Sequence, residues 1–427
     1  MSIHLYLRRL RSSNLFKDSF WAVFGNGLGN VILLLAGIII ARLLGKDVYG
    51  AYGIAKATMF QMALFSTFGL GYSSTKFISE YQKKDPTKLR AISLCALRTT
   101  VFFSLFIGTI IFTFAKQIAR IVDSPDLFWV FRFISFIVFF RAISTVCAGI
   151  LAGFKRFKPI GINNIFSGVI MLALSIPLTI HYYLNGALWA LAFSQIALAA
   201  LNASNVIMVL KDTDSNSSDV IDRDILFFSL PVAIQEFSYA LFVWASNLLI
   251  VKYSTIGEVG MYSACAQWNA VVLMIPNLLY NVVLSYLSGT YNNTEHRKML
   301  NKMIVVNFIC AVIPFIIVLL CSPIIVSFYG KSFKGMLPVL NTLIFSTVFY
   351  SCANVFYSNL LSFGKSWALC IVKCARDLVT IIMLYMILIC TNGINAAQNY
   401  AVLNVVVAAL FLFVLAGISR SIERRIQ

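Results

Sequence analysis

The chain has 427 residues, of which 60% are hydrophobic and only 12% are charged, and its formal net charge is +18. Soluble domains are roughly half apolar and one-quarter charged, so this composition excludes an ordinary soluble enzyme or binding domain. It predicts an integral membrane protein whose functional groups lie on membrane helices and in short loops.

Apolar runs long enough for a helix to cross a bilayer, about 20 residues, occur twelve times along the chain. They predict an all-α fold of about 12 transmembrane helices, at 19–44, 49–75, 91–114, 127–154, 159–182, 186–210, 225–252, 257–289, 303–329, 336–362, 366–390 and 394–419. The polar loop 211–224 predicts a cytoplasmic linker between two six-helix lobes, at 1–210 and 225–427.

Basic residues are distributed unequally between the two sides that these spans define. Of the 34 Lys and Arg residues, 21 lie on the side of the two termini and seven lie on the opposite side. Cytoplasmic loops carry such an excess, so we predict that both termini are cytoplasmic. The same bias explains most of the net charge, so we predict contacts with membrane lipids and not with nucleic acid.

The residues that usually form metal or catalytic sites are scattered. The nine cysteines include no CxxC pair, and the three histidines, His4, His181 and His296, are far apart in the sequence. This pattern predicts packed free thiols, no metal, no cofactor and no catalytic group.

Two stretches at corresponding points of the two halves resemble each other. ARLLGKDVYGAYGIA at 41–55 aligns with VKYSTIGEVGMYSAC at 251–265, and the alignment pairs Gly50 with Gly260. Both stretches join an odd-numbered span to an even-numbered span on the same side, which predicts pseudo-symmetric lobes arranged as parallel repeats.

Longer motifs resemble a known family. LFKDSFWAVFGNGLGNVILLLAGIIIARLLGKDVYGAYGIAK at 15–56 resembles the N-terminal signature of the bacterial polysaccharide-transport flippases, in which Ala-Arg-Leu-Leu-Gly precedes an acidic residue and Gly-x-Tyr. LAGFKRFKPIGINNI at 151–165 is similar to the family's connection between spans four and five. This family belongs to a superfamily that also contains multidrug exporters.

The resemblance implies a transporter of the bacterial inner membrane, not an enzyme, with two lobes that alternate between inward-open and outward-open states. Its substrate would be an oligosaccharide repeat unit, such as O-antigen, on undecaprenyl pyrophosphate. The lipid-linked sugar would move from the cytoplasmic to the periplasmic leaflet. A polysaccharide polymerase and a chain-length regulator are further candidate partners.

Charged residues inside the predicted spans are the main candidates for a binding site. There are six basic and two acidic ones: Lys56, Arg98, Arg132, Arg141, Glu236, Lys373, Arg376 and Asp377. Arg141, Glu236, Arg376 and Asp377 lie about 15 Å or more from the ends of their helices, too deep to reach water by snorkelling. Lys56, Arg98 and Arg132 lie nearer to helix ends, so an interfacial position is an equal alternative.

The positive excess predicts a cationic cavity for a pyrophosphate headgroup, formed by Lys56, Arg98, Arg141, Lys373 and Arg376. On the eleventh span, the spacing of four between Lys373 and Asp377 favours an ion pair. That pair would leave Arg376 without a partner on its own helix, and Glu236 is the candidate to supply one. Glu236 and Asp377 could also couple transport to protons or sodium ions.

Neutral polar residues inside the spans are candidates to contact sugar hydroxyls: Asn26, Asn30, Gln235, Gln267 and Asn269. The alternative for each is a hydrogen bond to a neighbouring helix. Two other functions also stay open. A membrane-embedded polysaccharide polymerase or ligase would need a longer outer loop, and an ion-coupled multidrug exporter would need a more acidic interior.

Overall fold

The computed structural model describes residues 14–121, 125–211, 222–288, 293–363 and 366–426, and these ranges contain helices and no strand. The predicted all-α fold is confirmed. The α-helices are α1 (Asn14–Ser66), α2 (Leu70–Lys84), α3 (Leu89–Ile121), α4 (Phe128–Gly153), α5 (Phe157–Lys211), α6 (Asp222–Tyr253), α7 (Ile256–Ser288), α8 (Asn293–Tyr329), α9 (Met336–Ser362), α10 (Ser366–Cys390) and α11 (Ala396–Ile426).

The two longest helices each contain two of the predicted spans. In α1 the helix breaks at Gly45, whose φ of 73° lies in the left-handed region that glycine adopts without steric cost. In α5 the break falls at Tyr183, between the predicted fifth and sixth spans. The predicted span 49–75 is also interrupted, because α1 ends at Ser66 and α2 begins after a turn.

Eight helices in the described residues are long and apolar enough to cross a membrane, and the two broken helices are among them. Large apolar side chains cover much of their outer faces, and Leu320 on α8, for example, is 74% exposed. Such faces are stable in lipid and costly in water. The chain is therefore a multi-pass membrane protein.

The helices form two compact units. The first consists of Met1–Ile40 and Ile54–Trp244. Its main core lies between α2, α3, α4 and α5, and the buried side chains there include Leu70, Ile92 and Ile150. This core holds α4, which carries one of the predicted site residues, in a fixed position.

The second unit consists of Ala41–Gly53 and Ala245–Gln427. One of its cores joins α9, α10 and α11 through Leu360, Leu369 and Phe411. Residues 212–221 of the predicted linker 211–224 lie outside the described residues, whereas 211 and 222–224 belong to α5 and α6. Arg8, Arg9 and Arg11 of the predicted cytoplasmic N-terminus also lie outside the described residues. The lobe boundaries predicted at 210 and 225 therefore stay a prediction.

The aligned glycines of the two related stretches meet inside the second unit. A Cβ on Gly50 would collide with the carbonyl group of Ile256, and a Cβ on Gly260 would collide with the backbone of Lys46 and Gly50. Small residues allow membrane helices to approach each other this closely. The weak sequence similarity thus marks a crossing of two helix backbones.

Candidate functional site

Two predicted cations come together in the first unit. Lys56 lies on the second half of α1, Arg141 lies near the middle of α4, and electrostatic repulsion acts between them. The guanidinium of Arg141 lies 4.5 Å from the centre of the Phe60 ring, and its Nη1 donates to Gln195 Oε1 at 3.4 Å. Both cations are half-buried.

The described part of the chain contains no carboxylate that neutralises either cation. Across the residues that the structure describes, no ion pair includes Lys56 or Arg141. A charge inside an apolar helix bundle is costly without a counter-ion, and two adjacent like charges repel each other as well. An anionic ligand would offset both costs. A guanidinium and an ammonium beside each other are suited to a phosphate or pyrophosphate.

Glu236 lies in the same unit, on α6. It is half-buried, and its charge acts on the hydroxyl group of Tyr72, which lies on α2. Gln235, the preceding residue on α6, is also half-buried. The proposed roles of Glu236 in ion coupling and of Gln235 in sugar contact stay predictions.

In the second unit, Arg376 and Asp377 on α10 form an ion pair. The Nε and Nη2 of Arg376 donate to Asp377 Oδ1 at 2.8 and 2.5 Å. The two side chains are only 15% and 11% exposed. The guanidinium also lies 4.7 Å from the centre of the Phe411 ring, which fixes its position from a second side.

This pairing corrects the prediction for α10. We expected Asp377 to pair with Lys373, one helical turn earlier, and to leave Arg376 without a partner on its own helix. Instead, the long side chain of Arg376 folds back onto the adjacent Asp377. The ammonium of Lys373 lies 4.4 Å from the centre of the Tyr357 ring.

Near this ion pair lie Tyr262, Tyr400 and Asn404, which the sequence did not indicate as site residues. The rings of Tyr262 and Tyr400 lie 4.5 Å apart, and Asn404 Nδ2 donates to the Tyr262 hydroxyl at 3.3 Å. The hydroxyl groups of Tyr350 and Tyr400 interact electrostatically with the carboxylate of Asp377. The spacing of four between Tyr400 and Asn404, inside an apolar helix, was the available signal.

Three predicted sugar-contact residues form hydrogen bonds that connect helices. Asn26 Oδ1 accepts a hydrogen bond from Asn164 on α5, and Gln267 Nε2 donates to the Tyr49 hydroxyl. Asn269 Nδ2 donates to the carbonyl of Leu343 on α9 at 3.0 Å; it also reaches Ser346 Oγ at 3.4 Å. These bonds match the alternative role that was considered for each of these residues.

Two other candidates are exposed on the surface of the structure. They are Arg98 on α3 and Asn30 on α1. The exposure of Arg98 agrees with the interfacial alternative for this residue. Within the described ranges, no group of three or more His, Cys, Asp or Glu side chains could hold a metal ion.

Comparison with known proteins shows the family. Residues 39–338, more than half of the chain, match the family described as polysaccharide biosynthesis protein. The chain belongs to this family. The predicted family relationship is therefore confirmed.

Individual relatives are more distant. A Shigella flexneri protein named "Putative O-antigen transporter" is 22% identical over 93% of this chain and 97% of its own length. Stage V sporulation protein B of Bacillus subtilis is also 22% identical, over 64% of this chain and 59% of its own length.

A solved structure has the same fold. It is an inward-facing multidrug resistance MATE family transporter of the MOP superfamily, which aligns with a TM-score of 0.77 at 16% identity, over 92% of this chain and 96% of that chain. The predicted fold class is confirmed. The family match names polysaccharide biosynthesis, and the solved structure shows the fold.

Proposed function

We propose that this protein is a flippase for oligosaccharide repeat units linked to undecaprenyl pyrophosphate, such as O-antigen units. It moves them from the cytoplasmic to the periplasmic leaflet of the bacterial inner membrane by alternating access. Both termini lie in the cytoplasm in this proposal. The family match and the similarity to a protein named for O-antigen transport support the substrate class.

The observation that carries the proposal is the pair of cations Lys56 and Arg141 in the first unit, which has no carboxylate partner among the residues that the structure describes. A pyrophosphate diester carries two negative charges that leave water when the headgroup crosses the membrane. Arg141 can donate two parallel N–H bonds to one phosphate, and Lys56 adds a second positive charge. The prenyl tail needs no such partner and stays in lipid.

The second unit contributes differently. Asp377 neutralises Arg376, and Lys373 is the second basic residue on α10, with its ammonium against the Tyr357 ring. We assign phosphate binding in this unit to Lys373, and to Arg376 whenever protonation or ion binding at Asp377 releases its guanidinium. Such a release would couple substrate binding to protons or sodium ions.

A multidrug exporter is the second candidate, because the fold matches that of a MATE family transporter. Cationic drugs require acidic groups in the binding site. The first unit places two cations next to each other, and the carboxylate of Asp377 in the second unit is already paired. Both features favour an anionic substrate.

A leaflet-specific assay tests the proposal. The purified protein is reconstituted into vesicles together with its own lipid-linked oligosaccharide, and accessibility of the sugar to an added enzyme reports which leaflet contains it. The proposal predicts transfer between leaflets without new glycosidic bonds. Longer glycan chains would indicate a polymerase or ligase, and no transfer would refute the proposal.

A further inference from the structure

Arg132 on α4 is not needed for the proposed function, and it lies close to a helix end. It is four residues from the start of α4 at Phe128, or about 6 Å along the axis. The helix has 26 residues and is about 39 Å long, so it exceeds the roughly 30 Å hydrocarbon layer. With the excess length shared equally between its two ends, the backbone of Arg132 lies about 1–2 Å inside the hydrocarbon boundary, and its long side chain reaches the lipid phosphates.

Aromatic rings surround the guanidinium of Arg132. Its Cζ lies 4.8 Å from the ring centre of Phe112 on α3, 5.6 Å from that of Phe128 and 6.0 Å from that of Trp129. Trp129 is 65% exposed, as expected of an indole at the membrane–water interface. These rings stabilise the guanidinium through cation–π contacts, which do not use its N–H groups as donors.

One donor of this guanidinium lacks an acceptor. Among the residues that the structure describes, the buried Nε of Arg132 has no hydrogen-bond partner. Leaving a buried charged donor unsatisfied is costly, so such groups usually have a ligand, an ion or water as partner. A second cation is near, because Lys116 Nζ lies 5.8 Å from the centre of the same Phe128 ring. Lys116 is exposed on α3.

From these contacts we infer that Arg132 and Lys116 form a binding site for the phosphate of a membrane lipid, separate from the transport site. Arg132 donates from its fork to the phosphate oxygens, and Lys116 supplies a point charge at the rim. The aromatic side chains pack against the first carbons of the lipid tails. Bulk anionic phospholipid and undecaprenyl pyrophosphate carry this same phosphate chemistry.

Lipid binding by the full-length protein in phosphatidylcholine nanodiscs tests the inference without a transport readout. One sample is titrated with phosphatidylglycerol and another with undecaprenyl pyrophosphate. The second titration uses an Arg141→Met background, so that binding at the Lys56 and Arg141 site does not hide the change. The outcome therefore does not depend on whether the protein is a flippase.

Arg132→Gln should weaken the affinity for at least one of the two lipids about tenfold, the usual effect of losing one charge-assisted contact. Lys116→Gln, an exposed substitution that leaves the fold intact, should weaken the same lipid by a smaller factor. Exposed Lys334→Gln is the control and should change neither affinity. Loss of phosphatidylglycerol binding identifies a site for bulk lipid, and loss of carrier binding alone identifies a site for the carrier. Unchanged affinities for both lipids in both variants would overturn the inference.

Discussion

Replacing Arg141 by Met should separate substrate binding from stability. Met keeps a flexible, apolar side chain of similar length but has no charge. A guanidinium about 4 Å from a phosphate interacts with it by about 4 kcal/mol at an effective dielectric constant of 20. Measured charge-assisted hydrogen bonds contribute about 1.5–3 kcal/mol, so the affinity for the pyrophosphate headgroup should fall at least about tenfold.

The stability of the protein without substrate should not fall. Among the described residues, the charge of Arg141 is supported by the long contact to Gln195 and by the Phe60 ring, and a cation–π contact contributes about 0.5–2 kcal/mol. Removing a half-buried charge saves a desolvation cost of several kcal/mol and relieves the repulsion with Lys56. We therefore expect an equal or higher melting temperature in detergent.

Binding of a short-chain prenyl pyrophosphate, measured by calorimetry, and thermal unfolding of the same samples provide the two readouts. Exposed Arg156→Met removes one positive charge outside the site and serves as the control. Wild-type affinity in Arg141→Met would refute the assignment of Arg141 to the headgroup. A large loss of stability would show that Arg141 holds the helices together instead.

Other substitutions test the remaining assignments. Arg376→Met should destabilise the protein by about 3–5 kcal/mol in thermal unfolding, because it leaves the buried carboxylate of Asp377 unpaired. Adding Asp377→Asn should restore most of this stability. No recovery in the double variant would contradict the pairing. Gly50→Ala should lower the free energy of unfolding by about 1–3 kcal/mol, because its Cβ meets the backbone of α7. Gly417→Ala, with open space around it, should raise the free energy of unfolding by about 0.5–1 kcal/mol. Equal effects on thermal unfolding would exclude the close crossing. Asn269→Leu should cost about 0.6–1.7 kcal/mol and leave transport per folded molecule unchanged, while a transport defect at normal stability would restore its role in sugar contact.

The positions of the helices were largely predictable from the sequence. Membrane helices must be long and apolar, and this requirement fixes where they run along the chain. The breaks at Gly45 and Tyr183 fall between predicted spans. The turn after Ser66 was not predictable, because hydropathy does not report backbone φ and ψ.

The charged residues of the candidate site could be listed from the sequence, but the contacts between them could not. Lys56 and Arg141 each stand out as charges in apolar helices, yet their proximity depends on how α1 packs against α4. For α10, the spacing rule favoured Lys373 as the partner of Asp377, since residues four apart share a helix face. The reach and rotamer of Arg376 decided otherwise, and neither can be read from spacing.

The measurement that tests the central claim most directly compares two substrates that differ only in headgroup charge. Vesicles containing the purified protein receive the same oligosaccharide attached to undecaprenol either through pyrophosphate or through a neutral glycosidic bond, and a leaflet-specific enzyme follows each one. If cations inside the helices bind the headgroup, the pyrophosphate-linked substrate crosses quickly, the neutral one crosses slowly, and Arg141→Met removes the difference. Equal rates for both substrates in the wild-type protein would contradict the account.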